Sequence, residues 1–122
     1  MTKTITKQKL QGAYYTPQKL VDFLTFWAIN SKKCQLLEPS CGDGIFLESV
    51  FQRFSSMGVS SKNALSNITA IELDPIAFNK TKEKMNALSK TSQNETELFN
   101  DDFFSIFQKK LFDKKFDSVI GN

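Results

Sequence analysis

Apolar residues fall into short runs that alternate with longer segments of helical spacing. Leu20, Phe23, Leu24, Trp27 and Ala28 recur at intervals of three and four, and predict a helix over 17–30 with one apolar face. Thr16 followed by Pro17 is a helix-start signal. A compact run then predicts a strand over 34–38, ending in Glu38. From Gly44 to Phe54 the spacing returns to helical, with Leu47, Val50, Phe51 and Phe54 on one face. The polar stretch 55–61 reads as a loop. A β-branched strand follows over 68–72, then a helix over 75–88 opened by Asp74 as N-cap and Pro75 as first residue. Residues 89–94 read as a polar loop, 95–99 as a third strand and 116–121 as a fourth. Strands alternating with helices imply an α/β fold with a parallel sheet and right-handed crossovers. Residues 1–11 read as a mobile basic arm preceding one domain, 12–122.

Composition narrows the classes. A chain of 122 residues with 40% apolar content can bury one modest core. Among its twelve phenylalanines, Phe103, Phe104, Phe107, Phe112 and Phe116 are expected to be mostly core. The net charge of +3 is mildly basic, and Lys109, Lys110, Lys114 and Lys115 read as solvated surface lysines rather than a phosphate track. The chain has no histidine, which excludes a Ser-His-Asp triad and a His-ligated metal. No metal site is expected. Cys34 and Cys41 match no common zinc spacing, and without a secretory signal a disulfide is not expected. No apolar run is long enough to span a membrane. These features predict a cytoplasmic protein, in which the sequons at Asn67 and Asn94 are chance matches.

The densest chemistry lies in Leu36-Leu37-Glu38-Pro39-Ser40-Cys41-Gly42-Asp43-Gly44. A strand runs into a tight loop, and the loop into a helix. Gly42 and Gly44 allow a sharp turn and close approach to a ligand. The first turn of the helix would offer unpaired N–H groups to an anion. Glu38 and Asp43 set two negative charges beside that place and would repel a pyrophosphate. A ligand that carries both a carboxylate and a cation is suited, and S-adenosylmethionine is one. A dinucleotide fingerprint would need a third glycine where this chain has Leu47. An ordinary glycine turn without a ligand is the remaining alternative.

Glu72, at the end of the second strand, stands where doubly wound folds place an acid against ribose hydroxyls, and Leu73 would then lie beside an adenine. The stretch from Gly42 to Glu72 is longer than the roughly 20 residues usual in dinucleotide folds. Upstream, Tyr15-Thr16-Pro17 is by itself no more than the start of an amphipathic helix.

Taken together, Tyr15-Thr16-Pro17, Glu38-Pro39-Ser40-Cys41-Gly42-Asp43-Gly44, Glu72, Asp102-Phe103 and the strand leading to Asn122 resemble, in order, the motifs of adenine-N6 DNA methyltransferases of bacterial restriction–modification systems. The resemblance covers 12–122. It implies a Rossmann-like class I methyltransferase fold with strand order 3-2-1-4 and S-adenosylmethionine as cofactor. It assigns the cofactor to Tyr15, Thr16, Pro17, the loop from Glu38 to Gly44, Glu72, Leu73, Asp102 (adenine amino group) and Phe103 (beside the ring). Asn122 would be the first residue of an N-P-P-Y catalytic motif, whose Asn side chain and Pro carbonyl accept from the target amino group while the Tyr stacks on the base. The chain carries only the Asn of that motif. The resemblance therefore implies the cofactor half of the enzyme, inactive alone, with DNA as the complete enzyme's substrate and the missing half or another subunit as partner. The alternatives are a non-catalytic S-adenosylmethionine-binding module or partner subunit, and a protein or small-molecule methyltransferase. Tyr15-Thr16-Pro17 favours DNA. With no further strand beyond the fourth, strand four would form an open sheet edge.

Overall fold

The computed structural model describes residues 16–90 and 96–121. Four parallel strands form one sheet: β1 (Leu36–Glu38), β2 (Ile68–Ile71), β3 (Glu97–Phe99) and β4 (Ser118–Val119). Their order is β3-β2-β1-β4, the order the resemblance implies. Helices α1 (Gln18–Ala28), α2 (Ile45–Ser56), α3 (Ser61–Ser66) and α4 (Pro75–Ser89) fill the connections up to β3. A single turn, α5 (Phe103–Ile106), continues as a π-helix over Phe107–Leu111 before β4. The expected arm, 1–11, lies outside the described residues, as does most of the expected loop at 89–94.

Side chains alternate across the sheet with the strand period. Leu36, Ile68, Ala70, Leu98 and Ile120 join the larger core, built with Leu47, Val50, Phe51 and Phe54 of α2, Val21 of α1, Leu65 of α3 and Met85 of α4. Leu37 and Ile71 face the other way, onto Ile106, Leu111, Phe99, Phe103 and Phe116. The predicted face of α2 is buried entire, each large side chain contributing about 1.5–3 kcal/mol. Asp74 caps α4 by accepting from the Ile76 N–H at 3.3 Å, and Pro75 opens it, as expected.

Four expectations need correction. The buried stripe of α1 is Val21 and Thr25, flanked by partly buried Leu24 and Ala28, whereas Leu20, Phe23 and Trp27 face out, Trp27 being 75% exposed. The rotation is set by α2: Asp22 accepts from the Ser49 hydroxyl at 2.8 Å, and Arg53 donates to the Ile29 carbonyl at 3.0 Å while lying 4.2 Å over the Phe26 ring. The phenylalanine cluster is not mostly core. Phe104, Phe107 and Phe112 are exposed; Phe104 and Phe107 meet Phe103, and Phe107 meets Phe112, edge-on or tilted, since a short turn and the π-helix after it turn only Ile106, Leu111 and part of Phe103 inward. The stretch 55–61 is a tight turn at Met57-Gly58 followed by an unforeseen helix, α3, capped by Ser60, whose hydroxyl accepts from the Asn63 N–H. Lys114 is not simply solvated. Its ammonium donates to Thr69 Oγ1 at 3.1 Å and pairs with Glu97 at 3.0 Å across β2 and β3.

Candidate functional site

The loop after β1 sits at the carboxyl ends of the central strands, where open α/β sheets take their ligands. Its path is held from three directions. The Cys41 N–H donates to the Ile71 carbonyl at 2.9 Å, extending the β1–β2 contact past the end of the strands. The Gly42 N–H donates to Glu72 Oε1 at 2.6 Å. Thr81, wholly buried on α4, donates from its hydroxyl to the Gly42 carbonyl at 2.8 Å. Gly42 and Gly44 have φ of 55° and 88°, which suits glycine, and a Cβ on Gly44 would lie 3.1 Å from Thr81 Oγ1. Helix α2 starts at Ile45 with no side-chain cap among the described residues, so its first-turn N–H groups have no capping side chain there.

Glu72 braces two segments. Besides Gly42, it accepts from the Asp74 N–H at Oε2, 2.9 Å away. Each oxygen keeps a further lone pair. The chain just after β2 is pinned by Asn100, whose side-chain amide donates to the Glu72 and Leu73 carbonyls at 2.9 and 3.1 Å. Leu73 stands out from this anchored backbone, 68% exposed. Asp102 is exposed and caps α5, accepting from the Ser105 N–H at 3.1 Å. Phe103 is half-buried behind it.

Glu38 is only 1% exposed. One oxygen accepts from the Ser40 N–H at 2.9 Å, and the other accepts no hydrogen bond among the described residues. Burial, followed by the nearby Glu72 charge, pushes its carboxyl up to about 8, against the pull of the Ser40 bond. A cavity of about 250 Å³ opens beside it, lined by Glu38, Pro39, Ser40, Val119, Ile120 and Gly121. Burial and the same two acids push the Cys41 thiol up to about 12, which keeps it neutral and unreactive. Asp43 is exposed on the loop's outer side.

The sequence-selected residues from Glu38 to Gly44, Glu72 and Leu73 therefore gather at one end of the sheet. Thr16 and Pro17 stand at the start of α1, with Pro17 as the boundary residue of the helix. Tyr15 and Asn122 lie outside the described residues. Three contributors escaped the sequence reading. Thr81 and Asn100 act through single hydrogen bonds that only the folded chain creates. Gly121 matters because a Cβ there would fall 2.6 Å from Glu38 Oε1, so close approach of β4 to this carboxyl requires glycine. A polar residue on a buried helix face was the one available signal for Thr81.

The profile of N-6 DNA methylases matches residues 2–122. The chain belongs to this family. A curated relative, the type I restriction enzyme MjaIX methylase subunit of Methanocaldococcus jannaschii, is 30% identical over 119 residues, which is 98% of this chain and 20% of the relative. Among solved structures, a modification subunit of a putative type I restriction enzyme from Vibrio vulnificus YJ016 aligns with 76% of this chain and 19% of its own, at a TM-score of 0.59 and 22% identity. That likeness supports the same fold. The chain thus spans about one fifth of the length of these relatives. Among the described residues, no helix is long and apolar enough to cross a membrane.

Proposed function

We propose that this N-6 DNA methylase chain binds S-adenosylmethionine and serves an adenine-N6 DNA methyltransferase of the restriction–modification type. The observation that carries the reading is the joining of two strand ends: Glu72 holds the Gly42 N–H, so the glycine loop, the uncapped start of α2, Glu72 and Leu73 form one continuous cradle. The donor set suits this cofactor. The amino-acid carboxylate would meet the first-turn N–H groups of α2. The ligand's cations would meet Glu38, which lines the cavity. The ribose hydroxyls would donate to the remaining lone pairs of Glu72, with Leu73 against the adenine and Asp102 and Phe103 on its other side. Thr16, Pro17 and Tyr15 would contribute from the amino-terminal side.

When bound, the cofactor supplies an electrophilic methyl group. The protein's task is then orientation and electrostatics: the target adenine leaves the duplex, at a cost of a few kcal/mol, and its weakly nucleophilic amine is held in line by carbonyl acceptors, of which Asn122 would be one. Transfer to DNA would also draw on the remaining length that the relatives carry, and on other subunits of a type I complex. DNA and those subunits are the partners we propose.

Calorimetric titration of the folded chain with S-adenosylmethionine should give measurable heat. Glu72→Ala should weaken binding by about 1.5–3 kcal/mol, the scale of hydrogen bonds to a charged group. Absence of heat at millimolar ligand would remove the cofactor assignment, and equal affinity in the variant would remove Glu72 from the site.

A further inference from the structure

Among the described residues, Glu38 is the one acid of the site sunk in the core with an oxygen left without a donor. It stands at the end of β1, whose register pairs it with Ala70, two residues before Glu72. Among the described residues, the end of β2 supplies the Glu72 carboxylate and the loop supplies the neutral Cys41 thiol, while β4 and its continuation bring Val119, Ile120 and Gly121. Asp43, on the same loop, is exposed. The ion pairs among the described residues are Lys84–Glu48 and Lys114–Glu97, so no cation there answers Glu38. A carboxylate in this position would be desolvated, next to a like charge and short of donors, and each of these favours the protonated acid. Glu38 forms part of the wall of the cavity beside β4, and that cavity is where the cation would arrive.

We infer that Glu38 holds a proton in the free protein and releases it when a ligand cation enters the cavity, so that methyl-donor binding is coupled to proton release. The inference rests on the cofactor reading above. The step balances simply: the carboxyl O–H bond breaks, the proton passes to a buffer base, and the carboxylate left behind is neutralised by the incoming cation. That cation is either the ammonium or the sulfonium of S-adenosylmethionine. Because the acid stays protonated up to a pH of about 8, binding at lower pH must displace the proton, and affinity should rise with pH.

The test is calorimetry of the 122-residue chain at pH 7 in buffers of different ionisation enthalpy. About one proton should be released per S-adenosylmethionine bound, and affinity should rise by up to about tenfold per pH unit between 6 and 7.5. Glu38→Gln should abolish both effects, and subtracting its titration removes any contribution of the ligand's own amine. A parallel titration with S-adenosylhomocysteine, which lacks the sulfonium, separates the two cations. Equal proton release assigns the ammonium, and release with S-adenosylmethionine alone assigns the sulfonium. For a readout on the unmutated chain, carbon-13 NMR of glutamate carboxyls should show one group titrating near 8 that becomes ionised at pH 7 on binding. Binding with no proton release, or release that persists in Glu38→Gln, overturns the inference and leaves the cofactor reading standing. No binding at millimolar ligand ends both.

Discussion

Glu38 carries a folding cost that depends on pH even without a ligand. Its carboxyl ionises near the ordinary value of 4.5 when the chain is unfolded and near 8 when folded. Between these values the folded state holds the extra proton. This residue's share of stability is therefore fully present below about 4.5, declines as pH rises, and levels off above about 8. Glu38→Gln mimics the protonated acid and should flatten that decline. Urea unfolding at pH 5 and at pH 8.5 should show the variant near wild type at the first and more stable by about 2–4 kcal/mol at the second. A difference that does not change between the two pH values would mean that Glu38 is ionised in the folded chain. Its neighbour Glu72 shows the contrasting arrangement, since two backbone N–H groups meet its charge directly.

At the scale of elements, α1 separates periodicity from burial. The helix has apolar residues on more than one side, and its core-facing stripe is chosen by polar partners on α2 rather than by the largest side chains. Val21→Ala should cost about 1–2 kcal/mol through lost packing, while Phe23→Ser should stay within about 0.5 kcal/mol of wild type. Denaturant unfolding of both variants checks the assignment, and the reverse ranking would place the core on the Leu20–Phe23–Trp27 side. The phenylalanines after β3 make the same point. Their number promises a core, but an abrupt single turn and a π-helix can present only one side to the sheet, and Phe104 and Phe112 are left outside.

For the molecule as a whole, the outward side chains of α1 and the sheet edge meet. The Ser118 hydroxyl donates to the Ala28 carbonyl at 2.7 Å, tying β4 to the end of α1. A groove of about 750 Å³ runs beside this tie, lined by Trp27, Ala28, Cys34, Asp117, Ser118 and Val119 among others. Among the described residues β4 pairs only with β1, so its other side offers open backbone groups beside the exposed Val119. Such an edge invites pairing with another chain. The isolated chain should self-associate, with light-scattering mass rising across a concentration series. Trp27 is its single tryptophan, so emission should shift to the blue as that groove is covered. A constant monomer mass with solvent-like emission throughout would show that this edge is protected.

The four strands and their order, the helices α1, α2 and α4, the glycine loop, the acids at two strand ends and the Asp74-Pro75 cap were legible in the sequence. Each depends on local chemistry: period-two or helical spacing, a backbone that needs glycine, a side chain that caps its own helix. Other features were decided only by tertiary structure, because they depend on residues distant along the chain. The side of α1 that is buried depends on Ser49 and Arg53. The loop's shape depends on Thr81 and Glu72, and the path of the chain after β2 on Asn100. The protonation of Glu38 depends on burial beneath Gly121 and on the charge of Glu72 across a strand pairing. Spacing along a chain states which side chains share a face. It does not state which face meets the core, or which charge lies next to which, because those are set when separate segments compete for the same buried volume and the same hydrogen bonds.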